Sequence, residues 1–279
     1  MPAAEARQQS SRVMAELAVP TGNSYWRSLE LEWVGRDQEI VAGPKIKSCL
    51  RRPLSHPEQS GTSKYLDIST HELKVMQNYN LIAITPFQYP DARLVIALDK
   101  AGVLGVLDPG FDTEKAKQAL SKLIERIPCQ FGVVDRGSIE TSLVPLDAVI
   151  ILPGPDYSVA CWSPRPVLAQ VTSLNEALRA EASGAFGLIA KGNESGGRVG
   201  MDTAFILLQQ ILANTKLPVW VQGGIGSHTA AACIVGGARG VVIDSQLVLA
   251  KESQLPSEIK KVVALMDGSE TAVIGGYRV

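Results

Sequence analysis

A chain of 279 residues, 46% hydrophobic and 20% charged, can bury the core of one large domain or of one medium domain with an appendage. Its net charge of −1 removes any electrostatic case for nucleic acid or an anionic membrane as partner, and no run of about 18 apolar residues exists to span one. The four cysteines (Cys49, Cys129, Cys161, Cys233) show no paired spacing and no nearby histidine, which argues against a metal site or a disulfide framework and fits a reducing cytoplasm.

Taken in chain order, the start "MPAAEARQQSSR" lacks the apolar core of a signal peptide. Residues 1–78 are irregular. "SRVMAELAV" has the pattern of a short helix, "SLELEWVG" and "QEIVAG" that of strands, and "RRPLSHPEQSGTSK" that of a loop rich in Pro, Ser and Gly. This segment is expected to be a small amino-terminal appendage.

From residue 79 the rhythm is regular. Eight short apolar runs follow: "LIAITP" (81–86), "VLGVLD" (103–108), "CQFGVVD" (129–135), "DAVIILP" (147–153), "RPVLAQV" (165–171), "GLIAKG" (187–192), "LPVWVQG" (217–223) and "GVVIDS" (240–245). They are apolar on both faces and rich in Val, Ile and Leu, as strands covered on both sides require. Between them lie "TEKAKQALSKLIERI", "SLNEALRAEASGA", "DTAFILLQQILANT" and "SHTAAACIVGGA", which read as helices. Alternating strand and helix implies a parallel sheet. The pattern also fits an open doubly wound sheet, but eight units are the number a closed barrel needs. The expected fold is α/β, a domain of 79–279 whose compact (β/α)8 TIM barrel occupies about 79–255, short against the usual ~250 residues and so poor in material for a lid. The end, "MDGSETAVIGGYRV", has no helical or Gly/Pro stop, as in a domain that continues into a longer polypeptide.

In such a barrel, ligands bind at the carboxyl ends of the strands and phosphate groups after the seventh and eighth. "VWVQGGIGSHTAA" runs strand, glycine turn, helix there, so that Gly223, Gly224 and Gly226 let backbone N–H groups approach an anion at the positive end of a helix dipole. "KGNESGGRVG" ends the sixth strand. Ser195, Gly196 and Gly197 leave room for a flat ring, and Lys191 sets a cation beside it. A plain βα turn and a solvated lysine are the bland readings of the same residues. Among weaker candidates, His228 begins the helix after the turn, and Glu194 and Asp202 read as caps more readily than as general acids. Asp135 and Asp156 end strands, Trp220 reads as core, and His56 and His71 lie outside the barrel.

The stretch from "GAFGLIAKGNESGGRVG" to "LPVWVQGGIGSHTAAACIVGGARGVVIDSQLVLAKES", with "NLIAITPFQYPDARLVIALDKAGVLGVLD" before it, resembles the FMN-dependent nitronate monooxygenase (2-nitropropane dioxygenase) family over roughly 79–270. Within that family it is most similar to the enoyl-acyl reductase-like members of polyketide and polyunsaturated fatty acid synthases. The resemblance implies FMN held as follows. Thr85 and Pro86 lie under the ring, Gln170 and Thr172 reach toward ring or ribityl chain, and Lys191 and Gly192 meet the flavin edge. Ser195, Gly196 and Gly197 line the pocket, Gln222, Gly223 and Gly224 bind phosphate, and Asp244, Ser245 and Gln246 complete the phosphate end.

Two positions depart from that pattern. Arg198 stands where the family has histidine, and arginine is no base near neutrality. Asp244 stands where the family has glycine, setting a carboxylate beside the expected phosphate. Its charge would be neutralised by a neighbour such as Arg239, turned to a ribityl hydroxyl, or left to weaken FMN binding. The implied activity is reduction of an enoyl thioester, carried on CoA or a carrier protein, with NAD(P)H as co-substrate. Arg198 and Lys191 are the catalytic candidates, and other synthase domains are possible partners. Nitronate oxidation, a catalytically silent docking barrel and a flavin-free phosphate-sugar isomerase are the competing readings.

Overall fold

A computed structural model describes residues 79–279 apart from 128, 129, 155 and 157. The amino-terminal appendage, with the expected helix and strands, His56, His71 and Cys49, lies outside the described residues, as does Cys129.

Each of the eight apolar runs forms a strand. They are β1 (Leu81–Ile84), β2 (Leu104–Leu107), β3 (Gly132–Val134), β4 (Val149–Leu152), β5 (Val167–Val171), β6 (Gly187–Lys191), β8 (Val219–Gln222) and β9 (Gly240–Ile243), with the two-residue β7 (Gly197–Arg198) standing outside the barrel. All pair in parallel in sequence order. β9 closes on β1 with Leu81, Ile82 and Ala83 opposite Val241, Val242 and Ile243. The fold is therefore the closed (β/α)8 barrel, not an open sheet.

Alternation along each strand divides the two faces. Ile82, Ile84, Leu104, Val106, Val134, Val149, Ile151, Leu168, Ile189, Trp220 and Val242 pack together inside. The intervening residues, such as Ala83, Ala169, Leu188, Ala190 and Val221, face the helices. Trp220 is the largest of the fully buried residues, and its Nε1 donates to the carbonyl of Tyr79 at 3.0 Å. It has room because its neighbours lack side chains: a Cβ at Gly187 or Gly240 would lie 2.9 or 2.8 Å from the indole.

Helices cover the barrel where the sequence has 3.6-residue periodicity: α1 (Ala92–Lys100), α2 (Thr113–Arg126), α3 (Leu174–Ala182), α4 (Ala204–Asn214), α5 (Ser227–Val235) and α6 (Ser257–Val263). The first three carry side-chain caps, Asp91 on the Leu94 amide, Asp112 on Lys115 and Ser173 on Glu176. The crossovers after β3 and β4 contain only the 3-10 turns Thr141–Leu143 and Val159–Trp162. Prolines at 145, 153, 164 and 166 deny these segments a helix interior, and Ile139, Val144 and Trp162 cover the sheet instead.

One element departs from expectation. The tail forms a hairpin, β10 (Val273–Ile274) and β11 (Tyr277–Arg278), turning on Gly275 and Gly276 at φ 58° and 82°. β11 pairs with β7, Tyr277 opposite Arg198 and Arg278 opposite Gly197. The last residues, beyond the barrel itself, brace the loop after β6. Among the described residues no helix is long and apolar enough to cross a membrane.

Candidate active site

The inward alternation, carried one step beyond the apolar interior, reaches a polar layer at the carboxyl mouth. Val106 leads to Asp108, Val134 to Arg136, Leu168 to Gln170, Ile189 to Lys191, Trp220 to Gln222 and Val242 to Asp244. Asp108, Gln170 and Gln222 are buried.

Part of this layer is fully paired. Arg136 clamps Asp108 through two bonds, Nε to Oδ1 at 3.1 Å and Nη2 to Oδ2 at 2.7 Å. Thr85, buried at the end of β1, accepts the Asp108 amide at 2.8 Å, and Pro86 is buried beside it. Asp135 receives the Gly137 amide and the Trp162 indole, so it begins a turn and does not line the site. Asp156 is exposed.

Arg198 is committed in the same way. Its Nη1 donates to Glu176 Oε1 at 2.7 Å and Thr172 Oγ1 at 3.0 Å, its Nη2 to the Gln170 carbonyl at 3.3 Å, and both Nε and Nη2 reach the Pro153 carbonyl at 3.4 Å. Burial alone would push the Glu176 carboxyl up. The Arg198 bond and the bonds from Thr172 outweigh it and hold the carboxyl below its ordinary value. The guanidinium therefore ties the loop after β6 to the ends of β4 and β5.

Lys191 differs. Its Nζ makes no hydrogen bond or ion pair among the described residues. Burial pushes its ammonium down to about 8, with Arg198 and Arg136 adding to the fall and Asp244 and Asp108 opposing it. The amine lies 3.7 Å from where a Cβ of Gly197 would stand, and a Cβ at Gly196 would meet nothing within 4 Å. An open shelf with a lone cation at its edge results.

The turn after β8 is open in another sense. Gly223 and Gly224 hold φ of 119° and 60°, which side-chain-bearing residues resist. The amides of Gly223, Gly224 and Ile225 donate to nothing among the described residues. Ser195 Oγ, buried and without a partner, points at Gly223 and would sit 2.8 Å from a Cβ there. Glu194 caps α4 through the Ala204 amide at 3.0 Å, in keeping with the cap reading, and buried Gly192 sits against that contact. Among the described residues Asp202 offers only its carbonyl, to the Asn193 amide, and exposed His228 makes no side-chain hydrogen bond.

The end of β9 is closed. Asp244 Oδ1 accepts the Ser245 amide at 2.6 Å and the Ser245 hydroxyl at 3.3 Å, and Oδ2 accepts Gln222 Nε2 at 2.8 Å. Gln222 Oε1 in turn accepts Gln170 Nε2 at 2.8 Å. The Asp244 amide donates to Gln246 Oε1 at 3.3 Å, and Gln246 Nε2 donates to the Ile225 carbonyl at 2.8 Å. Arg239 does not neutralise Asp244. Its amide bonds Val219 at the opposite, amino end of the strands.

A flavin can be tested against this arrangement. The shelf at Gly196–Gly197, the Lys191 cation and the unpartnered Ser195 hydroxyl fit its ring and ribityl chain. The Gly223–Ile225 amides fit an anion. At β9 the fit is poor, because the Asp244 and Ser245 amides are spent on side chains and a carboxylate stands among them.

Sequence reasoning did not single out Asp108, Arg136 or Glu176. Period-two counting from Val106 and Val134 would have found the first two. Glu176 was hidden by its spacing of three from Ser173, which reads as an ordinary capping box. Ser173 does accept the Glu176 amide, but the carboxylate bonds the Thr172 amide at 2.8 Å and Arg198.

The fold is a closed (β/α)8 barrel, with the candidate ligand residues on the loops after β5, β6, β8 and β9. Residues 165–274, which carry those loops, match the family model for nitronate monooxygenase. The match is narrower than the 79–270 of the sequence resemblance. The chain is 28% identical over 199 residues to the (3aS,4S,5R,7aS)-5-hydroxy-7a-methyl-1-oxo-octahydro-1H-indene-4-carboxyl-CoA dehydrogenase of Mycobacterium tuberculosis, covering 64% of this chain. It spans about half of that relative, 55% of its length. FabK from Thermotoga maritima shares the fold at a TM-score of 0.64, with 24% identity over 75% of this chain and 72% of that one. The enoyl reductase domain of MlnA from Bacillus amyloliquefaciens does so at 0.57, with 13% identity over 75% of this chain and 65% of that one.

Proposed function

We propose that this chain is a flavin-dependent oxidoreductase that reduces the double bond of an enoyl thioester, carried on CoA or a carrier protein, at the expense of NAD(P)H. The observation that carries the reading is the half-buried Lys191 cation, without a hydrogen bond or ion pair among the described residues, beside the side-chain-free shelf at Gly196–Gly197. A positive charge at the edge of an isoalloxazine ring stabilises its reduced, anionic form. When bound, a flavin supplies the relay of two electrons from the nicotinamide to the β-carbon of the substrate.

The chain's own residues have distinct parts. Lys191 holds positive charge at the ring edge, and with a pKa of about 8 it can also exchange a proton near neutrality. Arg198 is a positioning residue. Its donors are taken by Glu176, Thr172 and the Gln170 and Pro153 carbonyls, and it fixes the loop that presents Ser195 to Gly197. Ser195 Oγ and the free amides of Gly223–Ile225 receive the polar chain of the ligand. The thioester preference is supported by the carboxyl-CoA dehydrogenase name of the curated relative and the enoyl reductase name of a fold neighbour. The place of the chain beside other synthase domains belongs to the same proposal.

The test is anaerobic oxidation of NADH and NADPH with crotonyl-CoA as acceptor, with and without added flavin. Flavin-dependent oxidation coupled to loss of the double bond is expected, and no oxidation with either nucleotide would sink the reading. A second reading, nitronate oxidation, is favoured by the family match over 165–274 and by the proton-accepting capacity of Lys191. Oxygen uptake with propyl nitronate, without nicotinamide, would put it first.

A further inference from the structure

We propose that Asp244 permanently fills the anion position at the end of β9, so that this mouth takes a flavin lacking its terminal phosphate, a riboflavin-type ligand, in preference to FMN. The inference rests on the flavin reading above and concerns only the form of the ligand.

Four observations carry it. First, the donors are spent: the Ser245 amide is taken by Asp244 Oδ1 at 2.6 Å and the Asp244 amide by Gln246 Oε1 at 3.3 Å. Second, the carboxylate is not free to swing away. Its other oxygen receives Gln222 Nε2 at 2.8 Å, and Gln222 is itself held by Gln170 at 2.8 Å, so rotation would strand buried amides.

Third, among the described residues no cation beyond Lys191, whose charge Asp244 already faces, lies there to offset a second anion. Arg198 is paired with Glu176 and Arg136 with Asp108, while Arg239 is at the other end of the barrel. Lys191 alone makes no ion pair among the described residues; it borders the shelf and its charge is already balanced in part by Asp244. A phosphate dianion beside Asp244 would meet repulsion in a half-dry site.

Fourth, the polar group left over beside the Gly223 turn can serve a polyol in both directions, which an acceptor-only phosphate does not use. Ser195 Oγ is buried, unpartnered and set against the Gly223 turn, and a hydroxyl both gives and takes a hydrogen bond. Asp244 is an acceptor for a terminal ribityl hydroxyl, and the Gly223–Ile225 amides are donors for its oxygen. The anionic end that other ligands bring with them is here part of the chain.

The experiment is a fluorescence-quenching titration of the full chain with riboflavin and with FMN, repeated on Asp244→Gly and Asp244→Asn, with thermal melts to establish that each variant is folded. The wild type is expected to bind riboflavin at least about tenfold more tightly than FMN. Asp244→Gly, which frees the Ser245 amide, is expected to bring FMN level with riboflavin or below it in Kd. Asp244→Asn, which keeps the shape and removes the charge, should fall between. Wild-type protein that binds FMN as tightly as riboflavin overturns the inference and leaves the flavin reading standing. Folded wild type and variants that bind neither flavin overturn the flavin reading itself, and this inference with it.

Discussion

The two sides of the barrel mouth are built from the same kinds of residue and treat them oppositely. On the β2–β4 side the charged groups are answered, Asp108 by Arg136 and Asp135 by Trp162 and Gly137, as is Thr85 by Asp108, and only the Ser138 hydroxyl is left buried without a partner among the described residues there. On the β6–β8 side Lys191 Nζ, Ser195 Oγ and three successive amides of the glycine turn have no partner among the described residues. A buried polar group costs free energy unless it is paired, so a fold tolerates unpaired ones chiefly where a ligand supplies the partner. The first side is scaffold, and the second is where ligand chemistry is to be sought.

Four substitutions test that contrast. The largest effect is expected on the paired side. Asp108→Ala leaves Arg136 without its partner and should cost about 3 kcal/mol in denaturant unfolding, the low end for a broken buried pair because Arg136 keeps some contact with water. A loss below ~1 kcal/mol would show the pair to be ornamental.

Arg198→Met comes next, at about 2 kcal/mol, since it strands Glu176. The Glu176 carboxyl is held below its ordinary 4.5, so its pairing stabilises the fold above that pH and the benefit is lost as pH falls through the folded value. Acid titration of stability should therefore be shallower in Arg198→Met than in the wild type.

Lys191→Met reverses the sign. The ammonium is held at about 8 instead of 10.5, so burying it destabilises the fold fully below pH 8. Between about 8 and 10.5 the unfolded chain binds more protons than the folded one, and wild-type stability rises with pH. The variant should be more stable than the wild type by about 2 kcal/mol at pH 7, with the difference fading above pH 8, and it should bind flavin less well. A variant less stable at pH 7 would mean that the cation has a partner.

Ser195→Ala is the smallest change. It removes a buried hydroxyl that bonds nothing, so it should leave stability unchanged or raise it by up to ~1 kcal/mol while weakening flavin binding. A loss of stability would place Ser195 with the scaffold.

Much of the fold was legible. All eight strands lie within the apolar runs read from the sequence, because strands covered on both faces must be aliphatic throughout. The helices after β2, β5, β6 and β8 were legible from their periodicity. The missing helices after β3 and β4 could have been read from the prolines there. The tail hairpin could have been read from "VIGGY", but nothing local says that it pairs with β7. Of the site, the glycine turn, Lys191 and Ser195 were found from their positions at strand ends. Their shared lack of partners, the commitment of Arg198 to Glu176 and the closure of β9 by Asp244 were not found.

The sequence by itself determined the barrel, its polarity and which loops form the mouth, since these follow from strand count, alternation and the right-handed βαβ rule, all properties of short stretches. Only the tertiary structure decided which polar groups at that mouth are spent and which are free. Gln170, Gln222 and Asp244 are 52 and 22 residues apart along their chain of hydrogen bonds, and Arg198 and Glu176 are separated by 22. Pairing over such separations is set by barrel closure, which no local pattern encodes.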